Sequence, residues 1–313
     1  MENASQSSVT EFILLGLSYD PRARCVLFHL FLVVYVVTLA ENILLIIAVR
    51  IDSRLHSPMY FFLTNLSFMD ICYTSVIVPK MLVDFISMKN TISFTGCMVQ
   101  IFCYFFIGES ECIALAFMAY DRYVAICNPL RYNMTMSNRA CVRMIIFAWM
   151  CGYSISLVDL LFIYRLTFCG ANKVDHFFCE SPSIIKLSCG DHFLVNTVKL
   201  VSSAIVLLLP FCYIIISYAR IIVTIIKTRT GKYKSFSMCF AHLIVVVCFY
   251  GTSSLIYLQP EHSMGTGNKV MSVFYAVGTP LMNPFIYSLR NKDVHRALRK
   301  LKYQMSSLEK RQN

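Results

Sequence analysis

The residues able to do chemistry in this chain sit where polar groups are most expensive. Glu41, Asn42, Asn65, Asp70, Glu109, Glu111, His242 and Asn283 all interrupt long apolar runs. A charged group in hydrocarbon persists only when it is paired, buried in protein or hydrated, so each one marks a candidate site. The plainer reading is interhelical hydrogen bonding that ties a bundle together, and it suits Asn42 and Asn65 best. Asp70, Glu111 and Asn283 come from three different runs at comparable depth and together make one polar cluster. Oxygen ligands of this kind suit a small, hard cation. Asp121 and Arg122 adjoin at the end of the third run and are followed by Tyr123. An arginine there either pairs with its neighbour or reaches a polar group on another helix, and a switch requires two such arrangements. The alternative is an arginine that snorkels to the interface. Groupings for catalysis are missing: the sequence holds no nucleophile–base pairing, no glycine-rich phosphate loop and no HExxH spacing. The reading is binding without chemistry, and no enzyme.

The elements that position these residues follow from composition. Hydrophobic residues make up 57% of the 313 and charged residues only 14%, against about 25% charged in ordinary soluble domains. So little charge leaves apolar surface that needs lipid, which makes this an integral membrane protein. A spanning helix takes about 20 mainly apolar residues. Seven such stretches run at roughly 26–49, 58–80, 98–120, 141–162, 196–226, 236–259 and 269–290. The fold class is therefore an all-α membrane protein, a seven-transmembrane helix bundle. After it, DVHRALRKLKYQ (293–304) places Val294, Ala297, Leu298 and Leu301 on one face among basic residues, as a short amphipathic eighth helix. The expected organisation is an extracellular N-terminus over 1–25, a transmembrane domain over 26–290 and a cytoplasmic tail over 291–313.

The formal charge of +11 is unevenly spread: 19 of the 28 Lys and Arg fall near 50–54, 122–143, 220–234 and 290–311. That is the positive-inside pattern, with the N-terminus outside and the C-terminus in the cytosol of a multi-pass plasma-membrane protein. No soluble basic patch with interleaved aromatics appears, so nucleic acid is not an expected partner. The first 25 residues lack the basic start and apolar core of a signal peptide. Asn3 opens an N-glycosylation sequon that fits an extracellular terminus. Repeated halves, the mark of many transporters, are not visible. Of the 14 cysteines, Cys97, Cys169, Cys179 and Cys189 lie at the extracellular side, where disulfides form. Four cysteines allow three pairings, and a zinc site with His176 and His192 is the competing reading.

Five segments then carry a resemblance. MAYDRYVAICNPLRY at 118–132 resembles the third-helix end of odorant receptors, within the rhodopsin-like G-protein-coupled receptors. LHSPMYFFLTNLSFMD at 55–70 is similar to their first inner loop and second helix, SYARII at 217–222 to the end of the fifth, and PLMNPFIYSLRN at 280–291 to the seventh. Lys234, Phe236, Ser237, Cys239, His242 and FYGT at 249–252 resemble the sixth. The likeness runs from about residue 10 to 302. Departures are Glu41 where the family usually has glycine, Met238 and Ala241 for small polar residues, and Met282 for leucine.

The resemblance implies bridges from Cys97 to Cys179 and from Cys169 to Cys189. It implies that Asp70, Glu111 and Asn283 hold a sodium ion, with no other cofactor expected. Asp121, Arg122, Tyr123, Tyr218, His242 and Tyr287 are implied as the switch facing a stimulatory heterotrimeric G protein, whose activation raises cyclic AMP. The ligand, a small volatile odorant, is implied to bind in the outer half of the bundle. There it would meet Tyr104, Phe105, Gly108 and Glu109 on the third helix, and Ser202, Ser203 and Val206 on the fifth. Tyr250, Ser253, Ser254 and Tyr257 would come from the sixth. Glu109 would also admit an amine-bearing ligand. The alternatives are a receptor of the same fold with a non-olfactory ligand, and a small transporter or channel using the polar cluster as an ion path.

Overall fold

The structure, a computed structural model, describes residues 9–87, 89–168, 172–228, 232–258 and 266–289, together with 294, 296, 297 and 299. Seven long helices form the bundle: α1 (Pro21–Ile51), α2 (Pro58–Ile86), α3 (Phe94–Cys127), α4 (Asn138–Tyr164), α5 (Phe193–Thr228), α6 (Lys232–Tyr257) and α7 (Thr266–Leu289). The first six are long and apolar enough to cross a membrane. The seventh is divided by a π-helical turn at Phe274–Gly278. Asn3 and Cys169 lie outside the described residues, as does most of the 293–304 stretch. Within that stretch Val294, Arg296, Ala297 and Arg299 are helical, with Val294 and Ala297 buried.

The helices outrun the hydropathy windows because polar caps, not hydrocarbon, decide where they start. Asp20 accepts from the Ala23 amide at 3.0 Å and Pro21 supplies the first turn, so α1 begins ahead of its apolar run. Ser93 caps α3 by accepting from the Gly96 amide at 3.1 Å. The Arg24 guanidinium, one turn into α1, donates to the carbonyls of Asp84 (2.5 Å), Ser87 (2.6 Å) and Phe85 (3.2 Å). It thereby satisfies the open C-terminal end of α2.

The surface confirms the solvent. Val33, Val36, Phe147, Met150, Leu200, Val201, Leu209 and Ile216 are all exposed on the bundle's outside. An apolar belt of this extent has no place in water and is ordinary in lipid. Here α3 is the central helix: it is buried over most of its circumference, whereas α1 and α5 are mostly exposed.

Two local features fix the helices' relative positions. Pro284 has no N–H, so the carbonyl of Pro280 loses its helical donor, and the Asn42 amide on α1 donates to that carbonyl at 3.3 Å. Gly152 on α4 faces α3 so closely that a Cβ would lie 2.3 Å from Ser110 Oγ and 2.8 Å from the Phe106 carbonyl. Glu41, next to Asn42, finds no partner for Oε2 among the described residues.

At the end of the bundle where α3 begins, three short strands form a lid: β1 (Glu11–Leu14), β2 (Thr91–Ser93) and β3 (Lys173–Val174), in the order β2-β1-β3. β1 runs antiparallel to β2 and parallel to β3, and it buries Phe12 and Leu14. The N-terminal segment is thus part of the fold from residue 11 onward. Cys97 is bonded to Cys179, with Cα atoms 5.5 Å apart, which ties α3 to the loop over the bundle. Cys189 is also disulfide-bonded.

Replacing Gly152 with alanine pushes a methyl group into α3 backbone and should destabilise the bundle by about 1–3 kcal/mol. The measurement is the melting temperature of the detergent-purified protein. An unchanged value would mean that α4 can move off α3 freely.

Candidate functional site

Three polar centres line up along α3, the first anchored on α4, the second on α2 and α7, and the third on α3 itself and Tyr132 just beyond it. The first surrounds a small cavity of about 30 Å³ near the disulfide end, lined from α3 by Tyr104, Phe105, Gly108, Glu109 and Cys112. α5 adds Ser203, Val206 and Leu207, α6 adds Ser253 and Tyr257, and Tyr275 comes from the π turn of α7. That is room for about one water, so a ligand enters only as the surrounding helices part; the wall joins four aromatic rings to aliphatic groups and a few hydroxyls, a lining of the kind ligand pockets have. Tyr104 and Tyr257 share a hydroxyl–hydroxyl bond of 2.7 Å across α3 and α6. Gly108 makes room for Tyr275, whose hydroxyl would stand 3.1 Å from a Cβ at that position.

Eight of the expected pocket residues therefore surround one space: Tyr104, Phe105, Gly108, Glu109, Ser203, Val206, Ser253 and Tyr257. Three stand outside its wall. Ser202 donates to Asp159 Oδ2 at 3.0 Å, Tyr250 donates to the Cys112 carbonyl at 2.7 Å, and Ser254 is only half-buried. A helix turns 100° per residue, so neighbours in sequence such as Ser202 and Ser203 face different partners.

The wall residues absent from the sequence reading include Cys112, Leu207 and Tyr275. Beside them stands an unexpected charged group. Lys199 donates to Asp159 at 2.7 Å, and its ammonium lies 3.2 Å over the Phe105 ring. Ser156, also on α4, donates to Glu109 at 2.7 Å. Asp159 and Lys199 fall within three positions of the expected helix ends, where a charge reads as solvated. Their place inside apolar runs was the available signal.

The second centre is the polar cluster. Asn283 Nδ2 lies 3.0 and 3.2 Å from the two Asp70 oxygens and 3.4 Å from Glu111 Oε1. All three residues are buried, and Asn283 Oδ1 has no partner among the described residues. Two carboxylates converging beside an unfilled amide oxygen form a donor set that fits a small hard cation.

The third centre is at the other end of α3. Arg122 donates through Nε to Asp121 Oδ2 at 2.8 Å and again through Nη2. Asp121 also accepts from the Tyr132 hydroxyl at 2.7 Å. Tyr218 on α5 and His242 on α6 share a bond of 2.8 Å. The Tyr287 hydroxyl, buried on α7, has no partner among the described residues. Tyr123 is half-buried against the core.

Above the cavity, the loop following α4 holds another buried acid–base pair. His176 Nε2 lies 3.3 Å from Glu180 Oε2, and Ser272 donates to Glu180 at 3.3 Å. Burial pushes Glu180 up from 4.5 to about 7. Burial, aided by the Lys269 charge, pushes His176 down from 6.5 to about 3. His192 instead bonds Ser188 at 3.1 Å. With Cys97 and Cys179 bonded to each other, the zinc alternative loses its thiolates.

The two loop groups have opposite pH signatures. Glu180's contribution to stability is fully present below pH 4.5 and lost as the pH rises through about 7; His176's is present above pH 6.5 and lost as the pH falls towards 3. Glu180→Gln should therefore raise the melting temperature relative to the parent near ~pH 8 and not near ~pH 5. The same difference at both pH values would show that Glu180 does not titrate in this range.

A family model described as "Olfactory receptor" matches residues 31–305. Olfactory receptor 10A7 of Homo sapiens is 46% identical over 299 residues, covering 95% of this chain and 95% of its own. Olfactory receptor 5M5 of Mus musculus is 46% identical over 306 residues, covering 96% of each. Among solved structures, squid rhodopsin superposes with a TM-score of 0.72 at 17% identity, over 92% of this chain and 87% of that one.

Proposed function

The chain belongs to the olfactory receptor family, and from that premise we propose that the cavity beside Glu109 binds small, weakly polar odorants and drives a stimulatory G protein. The observation that carries the reading is the arrangement of α3. One helix holds the cavity wall at Gly108 and the Asp121–Arg122 pair 14 residues on, a separation of about 20 Å at 1.5 Å per residue. A ligand that packs better against one arrangement of α3, α5, α6 and α7 shifts the population towards it.

In the arrangement described above, Arg122 is held by Asp121, which Tyr132 also engages. Activation would release Arg122 towards Tyr218 and Tyr287, both buried at the same end, and open a face for the G protein and cyclic AMP production. The Tyr218–His242 bond links α5 to α6 and would have to rearrange with it. The basic residues gathered at this end support a cytoplasmic placement, with the N-terminus outside the cell and the protein in the plasma membrane. Asp70, Glu111 and Asn283 would hold sodium when it is bound, and its positive charge would offset two buried carboxylates. By bracing α2, α3 and α7 together, these side chains would favour the resting arrangement.

Arg122→Ala should lower odorant-evoked cyclic AMP by ~10-fold or more at equal surface expression, the scale of losing one charge-assisted hydrogen bond. Equal responses would remove Arg122 from the switch, and conduction without any G protein would overturn the receptor reading. Raising external sodium should lower basal cyclic AMP in the parent and leave Asp70→Asn unaffected. A variant that still responds to sodium would place the ion elsewhere.

A further inference from the structure

Lys199 and Asp159 form a buried ion pair that the signalling scheme leaves unused. Lys199 is 8% exposed and Asp159 3%, with the ammonium 2.7 Å from Asp159 Oδ2. Ser202 donates to that same oxygen at 3.0 Å, while Asp159 Oδ1 has no partner among the described residues. As a strut between α4 and α5 the pair is a poor choice, because apolar residues of similar size hold helices together without desolvating two charges.

Its position suggests a different use. Lys199, Ser203 and Val206 are spaced i, i+4, i+7 on α5 and share a face, and the latter two line the cavity. The ammonium sits 3.2 Å over the ring of Phe105, which is itself part of the wall. An ammonium carries three N–H donors. One is taken by Asp159 and the Phe105 ring faces the group, so donor capacity remains one helical turn from Ser203, just outside the cavity wall.

Charge balance decides what that donor accepts. Asp159 already cancels the charge of Lys199. A carboxylate ligand would bring a second anion to one cation in a site that also contains Glu109, and an uncompensated charge there is costly. A protonated amine would sit beside the ammonium. A neutral carbonyl oxygen accepts the free N–H and changes no charge.

We propose that Lys199, neutralised by Asp159, selects uncharged ligands bearing a hydrogen-bond-accepting oxygen (ketones, aldehydes or esters) and that the pair excludes carboxylates. This rests on the cavity being the odorant pocket. Lys199 is the donor, Asp159 the counter-ion that sets the class, and the aromatic wall accommodates the apolar body.

The test compares cyclic AMP responses to chain-length-matched methyl ketones, carboxylates, amines and hydrocarbons, with surface expression measured for every variant. The parent should prefer ketones. Lys199→Met combined with Asp159→Leu removes both charges together, so neither is stranded, and should cut ketone potency by ~10-fold or more. Asp159→Asn frees the ammonium's charge and should make carboxylates at least ~10-fold more potent, which a purely structural strut would not do. Unchanged ketone potency in the double variant overturns the proposal, as does carboxylate indifference in Asp159→Asn. A parent that prefers amines overturns it in favour of Glu109. A parent that reaches the surface and answers none of the four classes overturns the pocket reading beneath it.

Discussion

Glu109, Glu111 and Asp121 all project from α3 into surroundings closed to bulk water, and the packing of the bundle depends on how each is met. Leaving one such charge without its partner costs about 3–5 kcal/mol. Each is answered from a different place: Glu109 by Ser156 on α4, Glu111 by Asn283 on α7, and Asp121 by its neighbour Arg122 and by Tyr132 beyond the helix. These bonds work only if α4 and α7 hold a particular depth and rotation against α3. Gly152 permits the first approach and the proline-freed carbonyl at Pro280, bonded by Asn42, steadies the second. In lipid, apolar packing alone distinguishes poorly between one rotation of a helix and another. The buried acids supply that discrimination.

This also explains which features were legible in the sequence. The spans could be read because lipid demands long apolar runs, and Asp70, Glu111 and Asn283 stood out because those runs otherwise exclude charge. Phe105, Gly108 and Glu109 were named for the cavity only through the resemblance to odorant receptors, and the structure brings them to one wall. Ser202 and Tyr250 fall outside that wall, because whether a hydroxyl faces a cavity or a neighbouring helix turns on about 100° of rotation that hydropathy does not encode. Lys199 and Asp159 lie close to the expected helix ends, where a charge reads as solvated, and only their burial against each other shows that they are enclosed. The strand pairing of Glu11–Leu14 was illegible for another reason: its partners are 78 and more residues away in sequence, so no local pattern announces it.

The same division separates what is general in the molecule from what is particular. On the proposed reading, Arg122, Tyr218, His242 and Tyr287 form the end that serves one kind of output. The cavity end is built from residues that can vary without touching that apparatus, since its wall needs only volume, aromatic surface and a few donors. Identity near 46% with relatives over almost their whole length leaves ample room for such variation. A change such as an acid at 159 facing a lysine at 199 must arise as a pair, because either charge alone would be stranded. If the cavity is the ligand site, as proposed, paired polar substitutions near it are where ligand class would be most economically set.

In the proposed scheme, coupling between the two ends would follow from stiffness rather than from a wire of contacts. Phe249 packs edge-on against Tyr250 and at a tilt against Tyr275, with ring centroids 5.5 Å and 5.3 Å apart. Tyr250 is fixed to the Cys112 carbonyl on α3, so α6 cannot rotate without disturbing the cavity floor. Tyr275 stands in the π turn, a local widening that such helices often place at functional sites. A ligand bearing on Tyr257 and Tyr275 acts at once on α6 and α7, whose other ends carry His242 and Tyr287. Close-packed interiors move between discrete arrangements rather than deforming gradually. On that scheme, a small displacement at the cavity would be expressed at Arg122 as the loss of one hydrogen-bonded arrangement and the gain of another.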